Sequence, residues 1–156
     1  VNGGMSGPFV HPGGLLVSSQ TVGLWVAELG TDRPRPWATA TAAPCLSLFK
    51  PVDVATPVDA GPRPSLRADA ESLWWRHERL QRRVMRDPVQ LASAIVRERD
   101  AIERDWPECP PRPEQAFKEA NAALARWELA TPESRDRRPL WARRSCERRD
   151  RGAGLL

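Results

Sequence analysis

Cysteine and histidine are scarce in this chain of 156 residues, and their spacing argues against several kinds of site. The three cysteines, Cys45, Cys109 and Cys146, are odd in number and far apart in the sequence. That pattern argues against a disulfide framework and favours a reducing, cytoplasmic compartment. The two histidines and the scattered cysteines also form no pair with metal-ligand spacing. We therefore expect neither a structural disulfide nor a bound metal ion.

Long apolar runs and phosphate-binding motifs are also missing. No stretch reaches the run of about 18 apolar residues that marks a membrane-spanning helix, and residues 1–14 lack the basic start and apolar run of a signal peptide. The glycines match neither the Gly-x-Gly-x-x-Gly pattern nor a Gly-Lys-Ser/Thr phosphate loop. We expect a chain that is neither exported nor membrane-spanning and that binds no cofactor.

The net charge of +4 comes from the carboxy-terminal end of the chain. Residues 131–156 contain eight arginines and four acidic residues, so residues 1–130 are neutral as a whole. Nucleic-acid binders usually place basic side chains along one face and interleave them with stacking aromatics, but Trp141 is the only aromatic residue in this segment. We therefore expect no nucleic-acid binding and predict that residues 131–156 form an Arg-rich, disordered tail.

Glycine and proline crowd residues 1–14, which predicts an irregular loop. Within residues 20–29, Val22, Leu24 and Val26 recur at every second position, which predicts a strand buried on one face and partly covered on the other. Short strands joined by short turns favour an antiparallel meander. The predicted strands are residues 15–17, 20–29, 37–42 and 46–49.

Helical periodicity predicts three helices after a proline-rich connection at residues 51–64. Asp69 is expected to cap the first helix, and Asp87 followed by Pro88 marks the start of the second, because proline at the first helical position lacks only an amide that would be unpaired anyway. The third helix is predicted from Glu114 onward. The predicted buried faces are Leu73, His77, Leu80 and Val84, then Leu91, Ile95, Ile102 and Trp106, then Phe117, Ala120, Leu124 and Trp127.

Strands therefore precede helices along the chain, and that segregation is typical of an α+β architecture. We predict one α+β domain at residues 15–130, with its strands in residues 15–50 and its helices in residues 69–129. The loop at 1–14 and the tail at 131–156 flank this domain.

Several side chains of the first predicted helix allow specific expectations. Trp74 and Trp75 point about 100° apart on a helix, so one is expected to enter the core while the other covers a neighbouring element. His77 falls on the apolar stripe and is interpreted as a satisfied interface residue. Glu78 and Arg82 stand at positions i and i+4 and are interpreted as a surface ion pair.

Three blocks of the sequence together resemble the secernin family of dipeptidase-like hydrolases. They are Ser18-Ser-Gln-Thr-Val22, Thr39-Ala-Thr-Ala-Ala-Pro-Cys45-Leu-Ser47-Leu-Phe-Lys50-Pro51-Val52 and Ser72-Leu-Trp-Trp-Arg-His-Glu-Arg-Leu80. The blocks follow the order seen in the family, the resemblance as a whole covers roughly residues 10–106, and the block ending in Phe-Lys-Pro is the most specific. The resemblance implies the N-terminal nucleophile (Ntn) class, a sandwich of two antiparallel sheets between helix layers, and a peptide or dipeptide substrate. It covers the C-terminal part of such an enzyme, so we expect a partial Ntn-hydrolase-like fold.

The family's nucleophile, an amino-terminal cysteine, has no counterpart in Val1-Asn2-Gly3. Such a cysteine can use its own α-amine, with a pKa of about 8, as the base that activates the thiol. We therefore assign no catalytic residue and expect little or no activity from this chain alone. Cys45 is the tempting substitute, but without a neighbouring histidine in sequence a thiol packed in the sheet is favoured over a reactive one. Cys109 and Cys146 are weaker candidates.

The resemblance also places a His-x-Gly-Gly-like stretch around His11, which implies a role on the substrate side. The alternative is a solvent-exposed loop histidine. Two functions follow from the sequence. The chain is either the C-terminal segment of a secernin-like dipeptidase, completed by an N-terminal half, or a non-catalytic α+β protein-interaction module. Its apolar helix faces could also support oligomerisation.

Overall fold

The computed structural model describes residues 20–30, 34–53 and 55–156, so His11, the predicted loop at 1–14 and the strand candidate at 15–17 lie outside the described residues. The described part is an α+β structure with a three-stranded antiparallel sheet followed by four α-helices. The strands are β1 (Trp25–Glu28), β2 (Arg35–Ala38) and β3 (Lys50–Pro51). The helices are α1 (Leu73–Val84), α2 (Pro88–Glu103), α3 (Pro113–Ala130) and α4 (Leu140–Ala153).

The sheet has the order β1-β2-β3, and both pairings are antiparallel, as the short predicted turns indicated. Trp25 lies opposite Ala38, and Ala38 lies opposite Lys50 on its other side. The third strand was predicted too early, because the chain forms a 3-10 helix at Pro44–Leu46 and becomes extended in the sheet only at Lys50. Ala43, just before Pro44, has a left-handed φ of 51°, which turns the chain out of the direction of β2.

The first strand is less covered than its alternating pattern predicted. Trp25 and Val26 are 64% and 47% exposed, although successive side chains of a strand point to opposite faces of the sheet. Both faces of β1 are therefore open, and the prediction of one buried face is wrong. Alternation marks which side chains share a face, but the burial of that face depends on an element that packs on it, and β1 lies at the edge of the described sheet.

The starts of α1 and α2 show how local chemistry fixes helix ends. Ser72 caps α1, with its Oγ accepting from the amide of Trp75 at 3.4 Å. The predicted cap, Asp69, lies three residues before Ser72 and instead holds Ser72, accepting from its amide at 2.5 Å and from its hydroxyl at 2.8 Å. The expected start of α2 is confirmed, because Asp87 accepts from the amide of Gln90 and Pro88 opens the helix.

The hydrophobic core lies where α1, α2 and α3 meet the segment around the 3-10 helix. All three predicted apolar stripes face it, which confirms the helical periodicity. Leu80 of α1 and Leu124 of α3 are fully buried, while Leu91 and Ile102 of α2 are partly buried against the same cluster. Trp75 is buried and Trp74 is partly exposed, and their ring centroids lie 4.7 Å apart in an edge contact. The expectation that only one of the two enters the core is therefore confirmed.

The prediction of a disordered tail is wrong for residues 140–153, which form α4. Backbone hydrogen bonds attach this region to the domain, from the amide of Ala68 to the carbonyl of Ala153 and from the amide of Arg137 to the carbonyl of Arg86. Arg82 of α1 also forms an ion pair with Asp150 of α4. Composition predicted disorder because arginine and acidic residues dominate, but here those charges form contacts with the domain. No helix among the described residues is both long and apolar enough to span a bilayer.

Candidate functional sites

Lys50, from the Phe-Lys-Pro block, is a fully buried lysine at the start of β3. Its Nζ donates to the carbonyl of Thr39 at 2.5 Å and to the carbonyl of Leu48 at 2.8 Å. The same Nζ lies 5.3 Å from the centre of the Phe117 ring on α3, within cation-π range. One side chain thus joins the end of β2, the connection after the 3-10 helix and α3.

The electrostatics of Lys50 involve Glu103 at the end of α2. Burial lowers the pKa of Lys50 to about 7, and the carboxylate of Glu103 raises it in part. Burial also raises the pKa of Glu103, against the opposing effect of a hydrogen bond from the amide of Phe49 at 2.5 Å. An amine with a pKa near neutrality is able to act as a base or a nucleophile. However, no substrate can reach a side chain with no exposed surface, so Lys50 has a structural role in this fold.

His77 of α1 lies on the buried stripe, as predicted, with only 2% of its surface exposed. Burial lowers its pKa to about 3, and the positive charges of Lys50 and Arg76 lower it further. Its Nδ1 is buried and has no hydrogen-bond partner. The prediction of a satisfied histidine is therefore wrong at this atom, because the apolar neighbours that make the stripe offer no partner. A neutral, enclosed imidazole is a poor candidate for proton transfer with substrate.

Glu78 of α1 was predicted to form a surface pair with Arg82, and the pairing is present but the location is wrong. Glu78 is 1% exposed, and its carboxylate accepts from Arg82 at 2.9 Å and from the side-chain amide of Gln20 at 3.0 Å. Gln20 and Asp150 of α4 cover this side of α1. The helical pattern alone marked that side as solvent-facing, because neither covering segment is close in sequence.

Cys45 lies in the 3-10 helix and not in the sheet, and it packs against the core while remaining partly exposed. Burial raises the pKa of its thiol, with its backbone hydrogen bond and the charge of Arg99 opposing that rise. A thiol with a raised pKa is mostly protonated at neutral pH and is a weak nucleophile. The prediction that Cys45 is a packed thiol therefore agrees with its environment, although its place in the sheet was wrong.

A cavity of about 320 Å³ lies between α1 and α4, and we call it the α1–α4 cavity. Cys146 of α4 lines it, and Nη1 of Arg138 donates to the sulfur of Cys146 at 3.0 Å. Sequence analysis missed this cavity because it placed Cys146 in a disordered tail. The lining residues are Gln20, Val22, Glu78, Gln81, Arg82, Met85, Arg86, Arg138, Cys146, Arg149 and Asp150.

Two apolar grooves border the sheet. One, of about 410 Å³, is lined by Trp37, Phe49 and Trp106 among others, and lies between the sheet and the end of α2. The other, of about 630 Å³, includes Trp25 and Leu29 of the β1 region together with several prolines. The sheet is therefore bordered by uncovered apolar surface in addition to its open edge strand.

The described residues contain no group of three or more histidine, cysteine or acidic side chains that could hold a metal ion. The chain matches no protein-family model, no curated protein and no solved structure in searches of each.

Proposed function

We propose that this chain is the C-terminal scaffold portion of a secernin-like dipeptidase, an Ntn-type hydrolase of peptide amides. The observation that carries the proposal is the antiparallel sheet with an apolar edge strand open on both faces, at Trp25 and Val26. A two-sheet sandwich of the Ntn class needs further strands at such an edge and a second sheet over such a face. Buried Lys50 supports the same proposal, because it gives the most specific block of the resemblance a structural reason for its lysine.

In this proposal the described residues supply framework and not the nucleophile. Burial raises the pKa of the Cys45 thiol, and the amine of Lys50 is enclosed. The imidazole of His77 is also buried and neutral. An activated nucleophile instead needs a base within hydrogen-bonding reach and access to substrate. The attacking thiol would therefore come from a segment outside the described residues, and the substrate would be a peptide or dipeptide.

The first prediction concerns dipeptide hydrolysis. The isolated chain should hydrolyse dipeptides at the background rate, and Cys45→Ala should leave that rate unchanged. A chimera in which the whole chain replaces the corresponding C-terminal part of an active secernin-family dipeptidase should fold and hydrolyse the same dipeptides. Release of free amino acids, measured by an amine-reactive dye, follows both reactions.

The matched control is the same chimera with its amino-terminal cysteine changed to alanine, which should be inactive. A folded but inactive chimera with the cysteine intact would count against the proposal. Turnover by the isolated chain that Cys45→Ala abolishes would place the nucleophile in the chain itself and contradict it directly.

The second candidate, a non-catalytic interaction module, is favoured by one observation. The core joins α1, α2, α3 and the 3-10 segment into one cluster of buried residues, as an independently folding unit requires. Urea unfolding followed by tryptophan fluorescence separates the two candidates. A single sharp transition of the whole isolated chain supports the module, whereas a sheet that unfolds at a lower urea concentration than the helical core supports a scaffold that needs a partner segment.

A further inference from the structure

The outer edge of β1 carries backbone groups that no other described strand meets. Within the described part of the chain, β1 pairs only with β2. The amide of Thr39 donates to the carbonyl of Leu24 at 3.0 Å, so this pair is hydrogen-bonded, and such pairs alternate along an antiparallel ladder. Trp25 and Ala27 are therefore the residues whose amide and carbonyl groups point away from β2. Pro36, which lies opposite Ala27, fits this register because it has no amide to donate.

The segment around this edge also concentrates exposed apolar side chains. Val22, Trp25, Val26 and Leu29 are each at least 47% exposed. Strand β1 contains neither a lysine nor a proline, two residues that commonly protect an edge strand from pairing with another molecule. An apolar edge with unpaired backbone groups is a template for a further strand.

The sequence of β1 is complementary to a second copy of itself. When two copies run antiparallel and exchange hydrogen bonds through their outward groups, Trp25 of each copy lies opposite Ala27 of the other. Val26 then lies opposite its own counterpart on the two-fold axis, in a close pair that forms no hydrogen bonds. The large indole thus meets a methyl group, and two β-branched side chains, which pack well on a pleated surface, meet each other. Glu28, the one charged residue of β1, lies opposite Leu24 and not opposite another carboxylate.

We propose that β1 is a homodimer interface, at which two copies of this chain join their sheets edge to edge into one continuous antiparallel sheet. The pairing is symmetric, so each copy contributes the same surface and the assembly closes at two copies. It forms about four backbone hydrogen bonds through Trp25 and Ala27. This inference goes beyond the proposed function and concerns the chain on its own, because in a completed hydrolase the same edge would take strands of the amino-terminal half.

The first test measures the mass of the whole chain in solution. Sedimentation equilibrium over a range of concentrations should show a reversible equilibrium between the 17.4 kDa chain and a species of twice that mass. Val26→Lys should raise the dissociation constant of the dimer at least about tenfold, because it places two like charges directly opposite each other. Val26→Glu should do the same. An equimolar mixture of the two variants should regain the dimer, because lysine then lies opposite glutamate, and this recovery also shows that both variants are folded.

Val89→Lys is the matched control, since Val89 is also an exposed valine but lies in the first turn of α2. It should leave the dissociation constant unchanged. A wild-type chain that stays monomeric at its highest soluble concentration would overturn the proposal. So would a Val26→Lys protein that dimerises like the wild type, or a mixture of the lysine and glutamate variants that stays monomeric.

A second measurement tests the register of the pairing. Val26→Cys should form an intermolecular disulfide under mild oxidation, because the Cα atoms of an antiparallel pair without hydrogen bonds lie about 4.5 Å apart, within the range of disulfides. Ala27→Cys is the control and should cross-link much less, since each Ala27 lies opposite Trp25 and is offset from its counterpart. Peptide mass spectrometry separates both products from disulfides of the native cysteines. Equal cross-linking of the two variants would contradict the proposed register.

Discussion

The edge strand β1 and the helices α1–α3 both carry apolar residues at regular spacing, but only the helices bury them. Val26 of β1 and Leu29 just beyond it are exposed, whereas Leu80 and Leu124 have no exposed surface. A helical stripe in this chain finds its partners in neighbouring helices and in the 3-10 segment. Strand β1 pairs with β2 along one edge, but its side chains are not buried by neighbouring elements as those of the helices are. The same kind of sequence pattern therefore marks a finished core in one region and an open surface in the other.

The largest expected effect tests this comparison with one substitution at two places. Leu80→Ala should lower the free energy of unfolding by about 2–5 kcal/mol, because it removes a fully buried side chain and leaves a cavity. Leu29→Ala is the matched control and should change it by no more than about 0.5 kcal/mol, since Leu29 is 78% exposed. Urea melts followed by tryptophan fluorescence measure both. Similar losses for the two variants would show that β1 is covered in solution and would remove the contrast.

The sequence predicted the helices well because their signals are local. The Asp87-Pro88 start of α2 and the four-residue stripe on α1 depend only on nearby side chains. The buried polar groups could not be predicted in this way. Glu78 looks like half of an exposed pair until Gln20 covers it, and Lys50 looks like a surface lysine until Phe117 and two carbonyls enclose it. Their environments come from segments distant in sequence, which periodicity does not report.

The two cysteine environments show the same contrast between local and long-range information. Cys45 could be judged from sequence as a packed thiol, because the absence of a nearby base was visible there. The environment of Cys146 depends on Arg138, eight residues away, and on α1 across the cavity. Since composition assigned that whole segment to a disordered tail, no local pattern indicated that these groups lie together.

The next prediction sharpens the comparison by titrating the buried core. The pKa of Lys50 is about 7 in the folded chain and takes its ordinary value of 10.5 when unfolded. Between these values the unfolded state binds a proton that the folded state does not, so the free energy of unfolding should rise with pH. The slope from this one group approaches about 1.4 kcal/mol per pH unit. Urea melts at intervals from pH 7 to 9 measure it, and Lys50→Met should flatten the rise.

Other lysines and tyrosines contribute little to this slope, because the sequence contains no tyrosine and Lys118 is the only other lysine. Lys118→Met is the matched control and should keep the slope of the wild type. The raised pKa of the Cys45 thiol acts in the opposite direction above its ordinary value of 9.0, so the measurement ends there. A wild-type chain whose stability does not change between pH 7 and 9 would mean that Lys50 keeps its proton in the fold and that its pKa is not lowered by burial.

The smallest expected effect tests α4, the region where composition and structure disagree most. Gly154 ends α4 with a left-handed φ of 75°, and Gly152 lies inside the helix, and neither would place an added Cβ against another atom. The two substitutions to alanine therefore differ only in backbone conformation. Gly154→Ala should destabilise the end of α4 by about 1 kcal/mol, while Gly152→Ala should stabilise it by about 0.5–1 kcal/mol.

Amide hydrogen exchange across α4 measures both changes locally, where a global melt would dilute them. Exchange should become faster in Gly154→Ala and slower in Gly152→Ala, while the amides of α1 and α3 keep their protection. The opposite signs are the decisive feature, because each variant serves as the control for the other. If residues 140–153 behaved as the tail that their composition suggests, neither substitution would change exchange. The cavity around Cys146 would then lose the helix that forms one of its sides.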